Sequence, residues 1–332
     1  MSMGKKGIEA FRAQMNDYFV GKGETVDNVL ICFLAGGHVL LEDVPGVGKT
    51  TLARTFAGSL GLSFGRIQFT PDTMPGDVTG LSVYDMKKGE FTYKAGAVMK
   101  NIILADELNR TSPKTQSALL EAMAENQVTV DGNIIKLPEP FMVIATQNPV
   151  SFMGTYPLPE AQLDRFMMRL SIGYPSEKEE LRLAHAKMDG KNIDDVKPVL
   201  NIDDIKEYRK CVDEVHISEG MYSYVWQIID ATRNDGCFTL GASPRAMLHL
   251  LQVAKAKAFL DGRDYIKPDD VKQMAIPVLS HRLILTTQMR LQKKESADLL
   301  KALILKVSIP MESPSSVIRR LTDMLYWKRP GR

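Results

Sequence analysis

Between the apolar run Val39-Leu40-Leu41 and a helix-periodic stretch beginning at Thr51 lies Glu42-Asp43-Val44-Pro45-Gly46-Val47-Gly48-Lys49-Thr50-Thr51. Glycines at 46 and 48 let the backbone turn its N–H groups toward phosphate oxygens. Lys49 offers a mobile cation to the β and γ phosphates, and the Thr50 hydroxyl can ligate Mg²⁺. Pro45, Gly46, Val47, Gly48, Lys49, Thr50 and Thr51 are therefore the candidate cradle of a nucleoside triphosphate. The consensus G-x-x-x-x-G-K-[ST] asks for glycine where Asp43 stands, while Pro45-Gly46 and Gly48 keep the rest of the turn.

A second group of candidates follows other apolar runs. Ile102-Ile103-Leu104-Ala105 ends in Asp106-Glu107. A buried strand would deliver Asp106 beside the phosphates to hold Mg²⁺, and Glu107 next to it can polarise an attacking water, so the pair implies hydrolysis beyond binding. Phe141-Met142-Val143-Ile144-Ala145 leads into Thr146-Gln147-Asn148-Pro149, where the Asn148 amide can both donate and accept and so orient a nucleophile; as an Asn-Pro pair it also suits a turn. Two arginines stand in suggestive places, Arg165 in Leu163-Asp164-Arg165-Phe166 and Arg245 at the start of a helix after Gly241-Ala242-Ser243-Pro244. A guanidinium brought in from another surface can neutralise the charge that phosphoryl transfer spreads over the equatorial oxygens, and a surface ion pair is the plainer role for either.

These residues need a scaffold, and the first half of the chain has the pattern of one. Candidate strands are His38 to Glu42, Arg66 to Phe69, Ile102 to Ala105, Phe141 to Ala145 and Arg169 to Ile172, mostly short and apolar enough for a buried parallel sheet. Between them, Thr51 to Leu60 puts Leu52, Ala53, Phe56, Ala57 and Leu60 on one helical face and stops at Gly61, and a second helix starts at Ser112-Pro113. Alternating segments 81–84 with 91–93, and 127–130 with 134–137, flank polar turns and read as two hairpin insertions, serving either as levers or substrate contacts or as sheet-edge cover. After Gly173-Tyr174-Pro175-Ser176 a linker within 173–201 gives way to helical spacing over 203–215, 218–233, 244–261 and 268–281. The expected division is residues 1–190 as an α/β nucleotide-binding domain and 195–332 as a helical lid.

Composition sets outer limits. At 332 residues two domains are expected, and 44% hydrophobic and 25% charged residues with a net charge of +2 describe a folded globular chain. No run is long enough to cross a bilayer and Met1 to Lys6 lacks an apolar region behind its charges, so a cytoplasmic protein is expected. The three cysteines and five histidines fall at neither disulfide-framework nor metal-ligand spacing, so any metal should arrive with the nucleotide. The basic end Lys328-Arg329-Pro330-Gly331-Arg332 reads as a solvated tail.

Taken in order, Gly46-Val47-Gly48-Lys49-Thr50, Asp106-Glu107, Asn148, Asp164-Arg165-Phe166 and Gly241-Ala242-Ser243-Pro244-Arg245 resemble the signature of an AAA+ ATPase. Three stretches resemble its MoxR family in particular: Asp106-Glu107-Leu108-Asn109-Arg110-Thr111-Ser112-Pro113 continuing to Met123, Ala145 to Pro149, and Leu158-Pro159-Glu160-Ala161-Gln162-Leu163-Asp164-Arg165-Phe166. The resemblance implies that Lys49 and Thr50 belong to Walker A and Asp106 and Glu107 to Walker B, with Asn148 as sensor 1, Arg165 as arginine finger and Arg245 as sensor 2. It further implies ATP and Mg²⁺ as ligands, a five-stranded parallel core with helices on both faces and an all-α lid, and a hexameric ring. Chaperone-like work on protein complexes with von Willebrand factor A domain partners belongs to the same expectation.

Other readings are a nucleic-acid-dependent AAA+ motor, a magnesium-chelatase-like motor subunit, and a nucleotide-gated scaffold that barely hydrolyses. The near-neutral chain lacks an aromatic-basic stripe, which weighs against nucleic acid, and the presence of Glu107 and Arg165 weighs against the scaffold.

Overall fold

A computed structural model describes residues 2–19, 23–87, 89–148, 155–190 and 192–309; the basic end at 328–332 lies outside them. Its strands are β1 (Val39–Glu42), β2 (Phe64–Gln68), β3 (Gly80–Asp85), β4 (Glu90–Ala95), β5 (Ile102–Asp106), β6 (Gln127–Val130), β7 (Asn133–Lys136), β8 (Met142–Gln147), β9 (Met168–Leu170), β10 (Phe238–Leu240) and β11 (Ile284–Leu285). Five of them form one parallel sheet in the order β2-β5-β8-β1-β9.

Period-two alternation makes that sheet a divider between two cores. Val39 and Leu41 of β1, Ile102 and Leu104 of β5 and Met142 and Ile144 of β8 point to one side, where they meet helices Ser2–Tyr18, Gly23–Leu34 and Lys49–Ser59. Leu40, Ile103, Ala105, Val143 and Ala145 point to the other and pack on Leu119, Leu120, Ala122 and Met123 of helix Pro113–Glu125. The Ser112 hydroxyl caps that helix by accepting from the Thr115 N–H, with Pro113 in the first turn. Both hairpins form as antiparallel pairs, β3 with β4 and β6 with β7.

The segment read as a linker contains a helix, Glu177–Met188, opened by a capping box in which the Ser176 N–H donates to the Glu179 carboxylate. Beyond it lie the helices Ile202–Asp213, Glu219–Asn234, Pro244–Leu260 and Pro268–Leu279, followed by the shorter Thr287–Leu291 and by Ser296–Lys306. Strands β10 and β11 pair within this helical part as a two-stranded ribbon. Its apolar residues, including Ile205, Tyr224, Ile228, Leu250 and Val271, are continuous with the first of the two cores, so the lid rests on the N-terminal helices. Among the described residues no helix is long and apolar enough to cross a membrane.

Candidate nucleotide-binding site

Strand β1 runs through Glu42 into the phosphate-cradling loop, and helix Lys49–Ser59 begins directly behind it. Two glycines make the turn possible. Gly46 has φ 89° and Gly48, the residue preceding the helix, has φ 90°, a left-handed region costly for residues with a Cβ. The helix thereby presents its unpaired N-terminal N–H groups to the space above the sheet edge, a ready anion site.

Asp43, the departure from the consensus, is a structural tie. Its buried carboxylate accepts from the Ser171 hydroxyl at 2.7 Å, the Ile172 N–H at 2.7 Å and the Gly173 N–H at 2.9 Å. Asp43 is not among the residues with positive φ, so the backbone there does not require glycine. Its carbonyl accepts from Lys49 Nζ at 2.8 Å, which parks the ammonium at the cavity. Burial pulls the lysine below its usual range, opposed by the charges of Asp43, Asp106 and Glu107.

A cavity of about 400 Å³ is lined by Pro45, Gly46, Gly48, Lys49, Thr50 and Thr51 on the loop side and by Asp106, Glu107, Thr146 and Asn148 on the strand side, with Arg66 and Gln68 from the edge strand β2. That volume suits a small-molecule ligand. Asp106 ends β5 beside β8, and its Oδ1 accepts from the Thr146 hydroxyl at 2.6 Å. Glu107 follows in the left-handed conformation, φ 57° and ψ 46°, an uncommon backbone for a residue with a Cβ. Its N–H donates to Thr146 Oγ1 at 2.9 Å, and its Oε2 accepts from Gln68 Nε2 at 3.0 Å and pairs with Arg110 at 3.2 Å. Thr146 thus holds both acids, one by its proton and one by its lone pair. Thr50 and Asp106 face the same space, so a hydroxyl and a carboxylate are together where a hard divalent cation can be held.

Neither arginine lines this cavity. Arg165 Nη1 donates to the Leu120 carbonyl at 2.7 Å, on the helix flanking the opposite core. The half-exposed Arg245 pairs with Asp164 at 3.7 Å. Asp164 is the meeting point of sheet domain and lid: it also accepts from the Ser243 hydroxyl at 3.1 Å and pairs with the buried Arg282 at 3.4 Å. Arg282 further donates to the Phe166 carbonyl at 2.6 Å and contacts His249 Nδ1 at 2.7 Å. Burial lowers the Arg282 pKa to about 10 against the attraction of Asp164, and burial beside Arg282 lowers that of His249 to about 3.

The structure brings Pro45, Gly46, Gly48, Lys49, Thr50, Thr51, Asp106, Glu107 and Asn148 to one cavity, whereas Val47, read as part of the cradle, is buried in the core on the side of the N-terminal helices; sequence reasoning misses Arg66, Gln68, Thr146 and the Asp164–Arg282 contact. A signal for two of these was present: Arg66 and Gln68 are charged or polar at alternate positions of a strand otherwise expected to be buried, which marks a face turned to something other than core.

Comparison with known proteins bears on the fold and the family. Residues 38–168 match the ATPase family associated with various cellular activities, and residues 230–303 match the AAA lid domain. The uncharacterized protein YeaC of Bacillus subtilis is 46% identical over 298 residues, covering 90% of this chain and 93% of the relative. Chaperone MoxR1 of Mycobacterium tuberculosis is 42% identical over 276 residues, covering 80% of this chain and 73% of the relative. Protein MoxR of Paracoccus denitrificans is 30% identical, over 82% of this chain and 87% of its own. A crystal structure of a candidate ATPase from Cytophaga hutchinsonii superposes with TM-score 0.87 at 38% identity, covering 93% of this chain and 97% of the other. With this fold, this lid and these relatives, the chain belongs to the MoxR family of AAA+ ATPases.

Proposed function

We propose that this chain binds Mg²⁺–ATP in the cavity under the Pro45–Thr51 loop and hydrolyses it as one subunit of a hexameric ring. The ring remodels or matures protein complexes together with partners carrying von Willebrand factor A domains. The observation that carries the reading is the shared cavity: loop N–H groups, Lys49 and Thr50 on one side, Asp106, Glu107 and Asn148 on the other. The name of the relative Chaperone MoxR1 supports the chaperone-like part.

In this reading Lys49 and the helix N-terminus neutralise the phosphates, and Thr50 and Asp106 would hold Mg²⁺, which would screen the phosphate charge further. Glu107 accepts the proton of the water attacking the γ phosphorus and Asn148 orients that water, while the bond to the bridging oxygen of ADP breaks. Arg165, tied to the Leu120 carbonyl outside its own cavity, serves the nucleotide of a neighbouring subunit. Arg245 reaches phosphate only after leaving Asp164, so lid movement and nucleotide state are linked. The division near residues 190–195 separates the two moving parts.

Glu107→Gln should bind a fluorescent ATP analogue as the parent does and lose about 10²–10⁴ in turnover. Lys49→Ala should weaken binding itself by about ten- to a hundred-fold. Mixing Arg165→Ala with Glu107→Gln should restore part of the activity that each lacks, because one subunit supplies the finger and the other the acid. Parental turnover by Glu107→Gln sinks the catalytic assignment, and mixtures no more active than their parts sink the shared site. The same Glu107→Gln protein, held with ATP, is the bait for the client and the partner.

A further inference from the structure

Arg66 has no role in the chemistry described so far, yet its guanidinium lines the cavity. Its Nη2 lies 2.7 Å from Asp106 Oδ2 and 2.6 Å from Gln68 Oε1. The other oxygen of Asp106 is engaged by the Thr146 hydroxyl at 2.6 Å. Both oxygens of the acid read as a metal ligand are thus occupied, one by a neutral donor and one by a cation. Arg66 is 47% exposed in its side chain and Asp106 only 13%, so the arginine is the partner free to withdraw.

A divalent cation held between Thr50 and Asp106 would compete with Arg66 for the same carboxylate, since two cations on one oxygen repel each other. We propose that Arg66 is a resident counter-ion of Asp106 that the metal must displace, so that bare Mg²⁺ binds poorly and metal enters effectively only with the phosphates of ATP. The ion pair neutralises Asp106 while the metal is away, and the phosphates supply the extra attraction that shifts the exchange toward the metal. Gln68 keeps the displaced guanidinium close, because it anchors the same Nη2. The proposal rests on Asp106 being a metal ligand.

The test uses the full chain and Mn²⁺ as a paramagnetic probe, with free metal counted by electron paramagnetic resonance in the absence and presence of a non-hydrolysable ATP analogue. Arg66→Gln is expected to lower the half-saturating Mn²⁺ concentration without nucleotide by about two- to five-fold, the size of a partly exposed ion pair. Arg66→Lys, which keeps the charge, is expected to stay near the parent. Asp106→Asn is expected to lose Mn²⁺ binding in both conditions. If Asp106→Asn binds Mn²⁺ like the parent, the metal assignment falls and the proposal with it. Loss of binding in Asp106→Asn together with parental or weaker binding in Arg66→Gln leaves the metal site standing and overturns the counter-ion role. Circular dichroism of each variant checks that the fold is intact.

Discussion

Restoring the consensus glycine at position 43 should harm this protein. In Asp43→Gly the carboxylate that accepts from Ser171 Oγ, the Ile172 N–H and the Gly173 N–H, at 2.7, 2.7 and 2.9 Å, disappears. Hydrogen bonds to a charged acceptor are each worth about 1.5–3 kcal/mol, and a buried N–H left without a partner costs about 1–3 kcal/mol. Removing a buried carboxylate also removes its own desolvation cost, which offsets part of the sum. We expect a net loss of about 3 kcal/mol and a melting temperature lower by about 5 °C or more. Asp43→Asn, which keeps one acceptor oxygen and the shape, should fall between. The contact of Lys49 is with the Asp43 carbonyl, which both variants retain, so affinity for a fluorescent ATP analogue at low temperature should stay within about three-fold of the parent. Thermal unfolding followed by circular dichroism, alongside the binding titration, separates the two effects. An Asp43→Gly protein that melts with the parent would refute the tie between this loop and the end of β9.

Two more outcomes follow from buried groups. Asp164→Ala leaves Arg282, nearly inaccessible in its side chain, as an uncompensated buried cation and should cost about 3–5 kcal/mol, whereas the double variant with Arg282→Met should recover part of it; strictly additive losses in denaturant unfolding would show that the pair is not coupled. His38 accepts from the Val143 N–H and faces the Met123 carbonyl, each at 3.0 Å, and burial lowers its pKa to about 4. The unfolded chain takes up that proton near pH 6.5 and the folded chain does not. The stabilisation is therefore complete above about pH 6.5, falls by about 2 kcal/mol between pH 7 and 5, and levels off below pH 4. His38→Gln should flatten that slope in urea titrations at the two pH values, and an unchanged slope would remove His38 as its source.

How legible the chain is depends on what kind of signal an element carries. The five strands and the helix behind the loop declare themselves through apolar runs and capping residues. Helix Glu177–Met188 did not, because none of its residues is buried and it carries no apolar face to read; its Ser176–Glu179 capping box was the available sign. The helices Ser2–Tyr18 and Gly23–Leu34 cover one face of the sheet, and the second merges in sequence with the apolar run into β1, which hid its end. The ribbon of β10 and β11 joins residues 238–240 to 284–285, a separation at which local patterning says nothing.

By itself the sequence determined a phosphate-cradling loop and the acids and amide that face it, Gly46, Gly48, Lys49, Thr50, Asp106, Glu107 and Asn148, because each type has a chemical demand that turns and strand ends meet locally, and the stretches 106–123, 145–149 and 158–166 carried the family resemblance. Tertiary structure alone decided what the neighbours of those residues are. Asp43 meets Ile172 across 129 positions, Thr146 joins Asp106 across 40, and Asp164 meets Arg282 in the lid. Such contacts form where the sheet order brings chain-distant strand ends together, and there burial raises the worth of a charged hydrogen bond that no local pattern encodes.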